Sequence, residues 1–379
     1  MARQIAPTSF DEAAAALQDA ATAATPVRVI GGGTKPWGRP GVPPGLQIRT
    51  AKLDRIVEHN AGDLTAVLEA GVPLAKAQQQ FATSSQMLAL DPYLGPEHEA
   101  TIGGIIATAD AGPLRHRYGA PRDLILGVTV ALSDGTIARS GGKVIKNVAG
   151  YDLGKLFCGS LGTLGMILSV NVRLHPLPAV TLTTLGVATD PDTAARAAHD
   201  LTAAPLELEA LDVAWRGGRG GILARCAGVQ SRRRAEMTAA LMSDAGLRDV
   251  EVTDDDAELW ARQRSGQRSP GRALVRVAAQ PSALATVLRV ADAHDATVVG
   301  RAAYGHFFIA LDPAAAPDLL RALPPGATAV LHDAPAALVE TVDPWGGSHD
   351  PAALELMRRV KARFDPRGVC SPGVFVGGI

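Results

Sequence analysis

The stretch VIGGGTKPWGRP, Val29 to Pro40, sets a short apolar run before three consecutive glycines, followed by Thr34, Lys35 and Pro36. Glycines in series let successive N–H groups converge on one point, which is how many loops hold an anion. Two familiar phosphate loops do not fit. A P-loop needs Gly, four residues and then Gly-Lys-Ser/Thr, whereas Thr34 and Lys35 stand in the reverse order with no second glycine in place. A dinucleotide fingerprint would put its third glycine at position 36, which is Pro36, and would then open a helix. No helix can follow here, because residues 34–45 hold four prolines and three glycines. The segment is therefore either an anion-holding nest between strands, without a helix dipole, or a plain tight turn.

Bulk composition narrows the classes of function. At roughly 150 residues per domain, 379 residues imply two or three domains and a sizeable core. A net charge of −1, from 37 basic and 38 acidic residues, gives no overall attraction to nucleic acid or anionic lipid. The cluster Arg232-Arg233-Arg234 falls in an expected helix and reads as a solvated face. The first residues lack the apolar core of a secretory leader, and no apolar run is long enough to span a bilayer, so a soluble cytoplasmic chain is expected. Cys158, Cys226 and Cys370 form no CxxC pair, which excludes a sequence-local iron–sulfur or zinc site.

Periodicity predicts the order of elements. Ser9 and Glu12 form a capping box ahead of an alanine-rich helix to about Ala24. VRVI (27–30), LQIRT (46–50) and LTAVLEAG (64–71) read as strands, and Pro73 opens the helix LAKAQQQFA, giving a first unit of about eighty residues. In a second unit, TIGGIIATA (101–109) opens a helix, and LILGVTVAL and TIARS flank the Asp134-Gly135 turn of a hairpin. MILSVNVRL (166–174) alternates like a half-buried strand, and HPLP (175–178) closes the unit. From Val180 the order β-α-β-β-α-β occurs twice, at 180–253 and 272–332, as in a ferredoxin-like repeat. Such units can pair into one antiparallel sheet with helices on one face.

Two further glycine-rich segments follow the opening loop. Gly103 and Gly104, after Thr101, allow close approach of a ligand to the backbone, and Thr101 can cap the helix start. Five more glycines lie in KVIKNVAGYDLGKLFCGSLGTLGMI, residues 143–167. The ordered set GGGT, ATIGG, RYGxxxD, a DG hairpin, NVAGYDL and GSxGTLG resembles the PCMH-type FAD-binding domain of the vanillyl-alcohol-oxidase-like flavoproteins. The resemblance covers residues 1–178 and the C-terminal FDPxG…PG element. Within that superfamily, GGGTKPWGRP, KVIKNVAGYDL and FDPRGVCSPGVF look like the family of small FAD-binding E subunits of bacterial glycolate oxidases.

The resemblance implies an α+β chain: a two-part PCMH-type FAD-binding domain over 1–178, with parts at about 1–80 and 81–178, a cap domain of two βαββαβ units over 179–343, and a C-terminal return segment over 344–379. It implies that Ile30, Gly31, Gly32, Gly33 and Thr34 wrap the FAD pyrophosphate, and that Thr101, Ile102, Gly103 and Gly104 bind its opposite side, with Pro92 and Asp110 nearby. Gly119 and Asp123 would line the flavin, while Gly162, Gly165 and Ile167 would hold the ribityl–adenosine end. Thr34 and Lys35 stand where covalent relatives often have His, so noncovalent FAD is expected. Leu161 replaces the glutamate of many relatives, and the metal-binding HxGDGNxH pattern is reduced to Tyr304-Gly305-His306.

The implied function is that of a flavoprotein subunit oxidising glycolate to glyoxylate, beside a catalytic flavoprotein and an iron–sulfur subunit through which any inner-membrane association would be made. Lacking the metal cluster that would help activate the hydroxyl, this chain need not be the subunit that turns over glycolate; its FAD would instead relay electrons or be a structural remnant. The alternatives are a self-sufficient FAD oxidase or dehydrogenase of another hydroxy acid and a non-catalytic scaffold. Lys146, Tyr151 and His306 have the chemistry of a base, and no metal is expected.

Overall fold

The computed structural model describes residues 2–144, 150–266, 268, 271–346 and 349–379. Lys146 and part of the NVAGYDL motif lie outside the described residues. The chain opens with the expected helix, Phe10–Thr22, and Ser9 Oγ accepts the Glu12 N–H at 3.1 Å. The reciprocal half of the box moves one residue upstream: the Glu12 carboxylate takes the Thr8 N–H at 2.7 Å. The helix buries Ala13, Ala14, Leu17, Ala20 and Ala21 on one face.

That face packs against a small parallel sheet of β1 (Arg3–Ile5), β2 (Val27–Ile30) and β3 (Leu46–Arg49), in the order β1-β3-β2. A second, antiparallel sheet contains β4 (Ile56–Asn60), β5 (Thr65–Glu69), β7 (Ile125–Ala131), β8 (Ile137–Gly141) and β9 (Met166–Arg173), in the order β4-β5-β9-β7-β8. A two-residue strand, β6 (Gln86–Met87), pairs with β10 (His175–Pro176) beside it. The sheets do not follow the expected division near residue 80. Every residue of β5 but Val67 is buried, so β5 needs partners on both sides, and it finds β9 as well as β4. The expectation of a half-buried 166–174 strand also fails. β9 is central, and Met166 and Leu168 meet the first helix's core while Val170 and Val172 join the core on the other side.

Residues 181–333 form an eight-stranded antiparallel sheet in the order β14-β11-β13-β12-β16-β17-β15-β18. The strands are β11 (Thr181–Ala188), β12 (Ala210–Arg216), β13 (Arg219–Ala227), β14 (Arg248–Thr253), β15 (Ala273–Ala278), β16 (Thr297–Arg301), β17 (His306–Leu311) and β18 (Thr328–Asp333). This is the expected repeat, with the two units joined at β12 and β16. The helices Pro191–Ala203, Ser231–Asp244, Leu284–Ala293 and Ala316–Ala322 cover one face, where Leu211, Val213, Trp215, Phe307 and Ile309 are buried. A helix at Ala257–Ser265 lies on the other face and buries Trp260 against Ala210 and Leu223. Among the described residues no helix is long and apolar enough to cross a membrane.

At the seam between the units, Asp212 stands opposite Arg301, with 3.6 Å between carboxylate and guanidinium. Neither Asp212 oxygen has a hydrogen-bond partner, and the side chain is fully buried. Burial pushes the Asp212 carboxyl up to about 7; Arg301 opposes the rise and Asp91 adds to it. The folded state therefore binds this proton more tightly than the unfolded chain, whose value is near 3.8. The protonated seam stabilises the fold below that range, and the contribution declines as pH rises towards 7. Stability of Asp212→Asn is accordingly expected to fall less than that of the unsubstituted protein between pH 5 and pH 7. Equal slopes in urea denaturation across that range would count against the assignment.

Candidate functional site

The opening glycine loop leaves β2 and runs directly against the second glycine segment. A Cβ on Gly31 would sit 2.1 Å from Thr101 Oγ1, and one on Gly32 would sit 2.0 Å from the Glu99 carbonyl oxygen. Only bare backbone fits at that distance. Thr101 is the N-cap of the helix Ile102–Thr108, and its Oγ1 accepts the Gly104 N–H at 3.3 Å. Gly103 lies as close to β5's end, where an added Cβ would be 2.6 Å from that of Ala70.

The third glycine segment closes the other wall. Gly159 and Leu161 donate their N–H groups to Ile106 and Ala107 at 2.9 and 2.8 Å, tying the turn to the helix Ile102–Thr108. Gly162 and Gly165 have φ of 75° and 143°, a region that favours glycine, and a Cβ on Gly165 would meet the Ala131 carbonyl at 2.6 Å.

The three segments enclose one cleft. Of the expected residues, Ile30, Gly31, Gly32, Gly33, Thr34, Thr101, Gly103, Gly104, Gly162, Gly165 and Ile167 line it. Others do not. Ile102 and Pro92 are buried away from the lining, Ile102 because the first helical turn points it into the core of the second sheet. Gly119 and Asp123 close a local turn instead, with the Asp123 carboxylate accepting the Ala120 N–H at 2.8 Å. Asp110 stands behind the lining and pairs with Lys35 at 2.7 Å, both side chains about 5% exposed. Tyr151 is 90% exposed and does not line the cleft. His306 begins β17 in the cap sheet.

Lys35 and Trp37, which sit in the opening stretch itself, also line the cleft, as does Val374 from the C-terminal return. Trp37 reaches across to the cap and stacks on His332 with 3.9 Å between ring centroids. Burial drives His332 well below the ordinary histidine value, helped by Arg276, Arg268 and Lys35, so its ring is neutral.

The sheet face opposite the four helices turns towards this cleft. Tyr118 Oη donates to Glu209 Oε1 and Tyr304 Oη to the His116 carbonyl, both at 3.1 Å, joining the two parts of the chain. Strand register puts Arg276, His306, Phe308 and Arg301 on one face of β15, β17 and β16. Burial, with Arg115, Arg276 and Arg301 around it, pulls His306 down to about 4. Arg276 itself has no hydrogen bond or ion pair among the described residues. Its guanidinium is electrostatically coupled to Asp110, the partner of Lys35. A charged residue in the middle of the apolar run ALVRVA was the one signal for it in the sequence.

Among the described residues the cleft's lining carries two cations, Arg28 and Lys35, and no acidic side chain. Bare amides from three turns, two cations and an apolar floor suit a long ligand with a diphosphate body. A flavin dinucleotide is such a ligand, so the residues present fit it.

Known proteins agree with that fit. An FAD binding domain model matches residues 2–141, and a model for the C-terminal domain of FAD linked oxidases matches residues 344–375. The chain is 36% identical over 214 residues to glycolate oxidase subunit GlcD of Bacillus subtilis, covering 55% of this chain and 45% of that protein. It is 36% identical over 159 residues to glycolate oxidase subunit GlcE of Escherichia coli, covering 42% of this chain and 45% of that one. The chain thus spans about half the length of these relatives. The fold matches a solved alkyldihydroxyacetonephosphate synthase with a TM-score of 0.72 and 15% identity, over 97% of this chain and 76% of that one.

Two neighbouring substitutions separate close approach from backbone freedom. Gly32→Ala places a methyl group 2.0 Å from a carbonyl, so the loop must shift. Gly33→Ala meets nothing within 4 Å and only strains a φ of 73°. FAD affinity by fluorescence titration is expected to drop by more than about tenfold for the first, against roughly fivefold for the second, matching a strain cost of about 1 kcal/mol. A larger loss for Gly33→Ala would contradict this geometry.

Proposed function

We propose, for a chain that carries the FAD binding domain and the C-terminal domain of the FAD linked oxidases, the role of a flavoprotein subunit that oxidises a small 2-hydroxy acid such as glycolate to the 2-oxo acid. The observation that carries this reading is the unpaired Arg276 guanidinium. It lies on the sheet face that looks at the cleft, beside a neutral His306 and near the Lys35–Asp110 pair. A half-buried guanidinium without a carboxylate of its own is a ready partner for a substrate carboxylate.

FAD, when bound, supplies the acceptor for the hydrogen and two electrons that leave the substrate's α-carbon. Arg276 holds the substrate carboxylate by a bidentate pair and so fixes which face of the α-carbon is presented. His306, neutral because burial and three arginines exclude its second proton, accepts a hydrogen bond from the substrate hydroxyl. Trp37 and His332 pack over the cleft's cap side and keep water out. FAD is held noncovalently, with Lys35 committed to Asp110 and to the Tyr93 carbonyl at 2.7 Å.

The likeness to two chains named as subunits of glycolate oxidase supports a multi-subunit complex; in this reading a second flavoprotein and an iron–sulfur subunit take the electrons onward. The three thiols of this chain are free and far apart in sequence, so any iron–sulfur cluster belongs to such a partner.

The test is dye reduction with glycolate and D-lactate, using the chain co-purified with its partners. Arg276→Met is expected to lower kcat/KM by about a hundredfold, mostly through KM, while the flavin spectrum stays unchanged. An unaltered KM with either acid would remove Arg276 from the substrate and this reading with it. Activity confined to a partner subunit would assign this chain to electron transfer alone.

A further inference from the structure

The C-terminal return carries one lysine that touches both the third glycine turn and the segment paired with β2. The helix Pro351–Phe364 places Lys361 over the back of the third glycine turn. Its ammonium donates to the Thr163 carbonyl at 2.7 Å, to the Cys370 carbonyl at 2.8 Å and to Asp365 Oδ2 at 2.6 Å. All three donor positions of the ammonium are thereby used. The side chain is 13% exposed and that of Asp365 fully buried, so water does not compete for these bonds.

Two of these contacts lead to different walls. Thr163 belongs to the turn 160–165, where its Oγ1 donates to the Ser160 carbonyl at 2.7 Å and where Gly162 and Gly165 line the cleft. Cys370 pairs in parallel with Val27 of β2, the strand that delivers the opening glycine loop. The Val27 N–H donates to the Val369 carbonyl at 2.8 Å, and the Ser371 N–H to the Val27 carbonyl at 2.9 Å. Asp365 locks the arrangement by accepting the Cys370 N–H at 2.8 Å. Burial opposes the charge on Asp365, but Lys361 and the Cys370 N–H outweigh it and hold its carboxyl below the usual range.

The geometry points to Lys361 as a positioning residue for FAD: one ammonium sets the spacing between the β2 glycine loop and the 160–165 turn, and so the width of the cofactor cleft. This rests on the reading of the cleft as the FAD site. Lys361 does not line the cleft, so it acts through the backbone atoms it holds. Charge-assisted bonds to buried carbonyls have no substitute once the ammonium is removed, and the Thr163 and Cys370 carbonyls would be left unsatisfied.

The experiment compares Lys361→Met with Val360→Ala. Val360 sits on the same helix, half-buried, and packs against the second sheet's core, and its side chain takes no part in the clamp's hydrogen bonds. Flavin-stripped protein is titrated with FAD by fluorescence quenching, and the melting temperature of the flavin-free form is measured alongside. Lys361→Met is expected to weaken FAD binding by about ten- to a hundredfold. Val360→Ala is expected to lower the melting temperature slightly while leaving FAD affinity within about twofold, since it loses only partly buried methyl groups. Equal FAD affinity for Lys361→Met and the unsubstituted chain would overturn the proposal. So would an equal weakening by Val360→Ala, which would make the effect one of general stability. If Lys361→Met does not fold, Asp365→Asn carries the same test, with a smaller loss of affinity expected and an unchanged value overturning it. Failure of the unsubstituted chain to bind FAD would instead remove the cofactor site itself, and the clamp's role with it.

Discussion

The structure depends on two stretches of main chain passing each other with nothing between them. Gly31 and Gly32 lie against Thr101 and Glu99 at distances a single Cβ would violate. That contact brings the end of β2 to the start of the helix Ile102–Thr108. It leaves their backbone groups on one side of a cleft whose other wall is the turn 160–165. Pro36 and its neighbours then carry the chain away without a helix, so the loop has no dipole to aim at an anion. Charge at the cleft comes instead from side chains, Arg28 and Lys35, with Lys35 held by a buried carboxylate behind it.

The cap makes its own contribution through one sheet face. Four helices cover the far side, which frees the near side for polar work over the cleft. Asp91, from the FAD-binding part, is half-buried within reach of Arg264, Arg301 and Arg225 of the cap. Its carboxyl rises to about 6 because burial exceeds the pull of those cations and of the Leu114 N–H. The seam pair Asp212–Arg301 lies in the same region. Arg276 has no hydrogen bond or ion pair among the described residues and lies on the face towards the cleft beside His306, which is the ground for the role proposed for it. The metal-ligand pattern that the resemblance associates with catalytic relatives has no counterpart at Tyr304-Gly305-His306. There Tyr304 ties the cap to His116, and His306 is held neutral.

Much of the fold was legible because its signals are local. The double βαββαβ order followed from periodicity, and the strands it predicted lie within a few residues of β11 to β18. The Thr101 cap and the Asp134-Gly135 hairpin rested on residue types whose conformational preference does not need a partner. The glycine segments announced the cleft in the same way, and eleven of the expected cofactor residues line it. Gly119 and Asp123 lie outside the lining and close a local turn, since a turn that closes on itself has the same glycine and carboxylate as one that meets a ligand.

Periodicity, glycine placement and turn chemistry in this sequence thus determined the elements and the presence of a backbone-lined cleft. They act within a few residues of one another. What tertiary structure decided was which distant residues meet. β5 pairs with distant β9 as well as with β4, its neighbour in sequence, because an interior strand must find a partner at each edge. Arg276 and His306 came to one face beside Lys35, and Lys361 reached Thr163 across 198 positions. No local pattern encodes those meetings. They follow from strand order and from which side of a sheet is left uncovered, and both are settled only when the whole core packs.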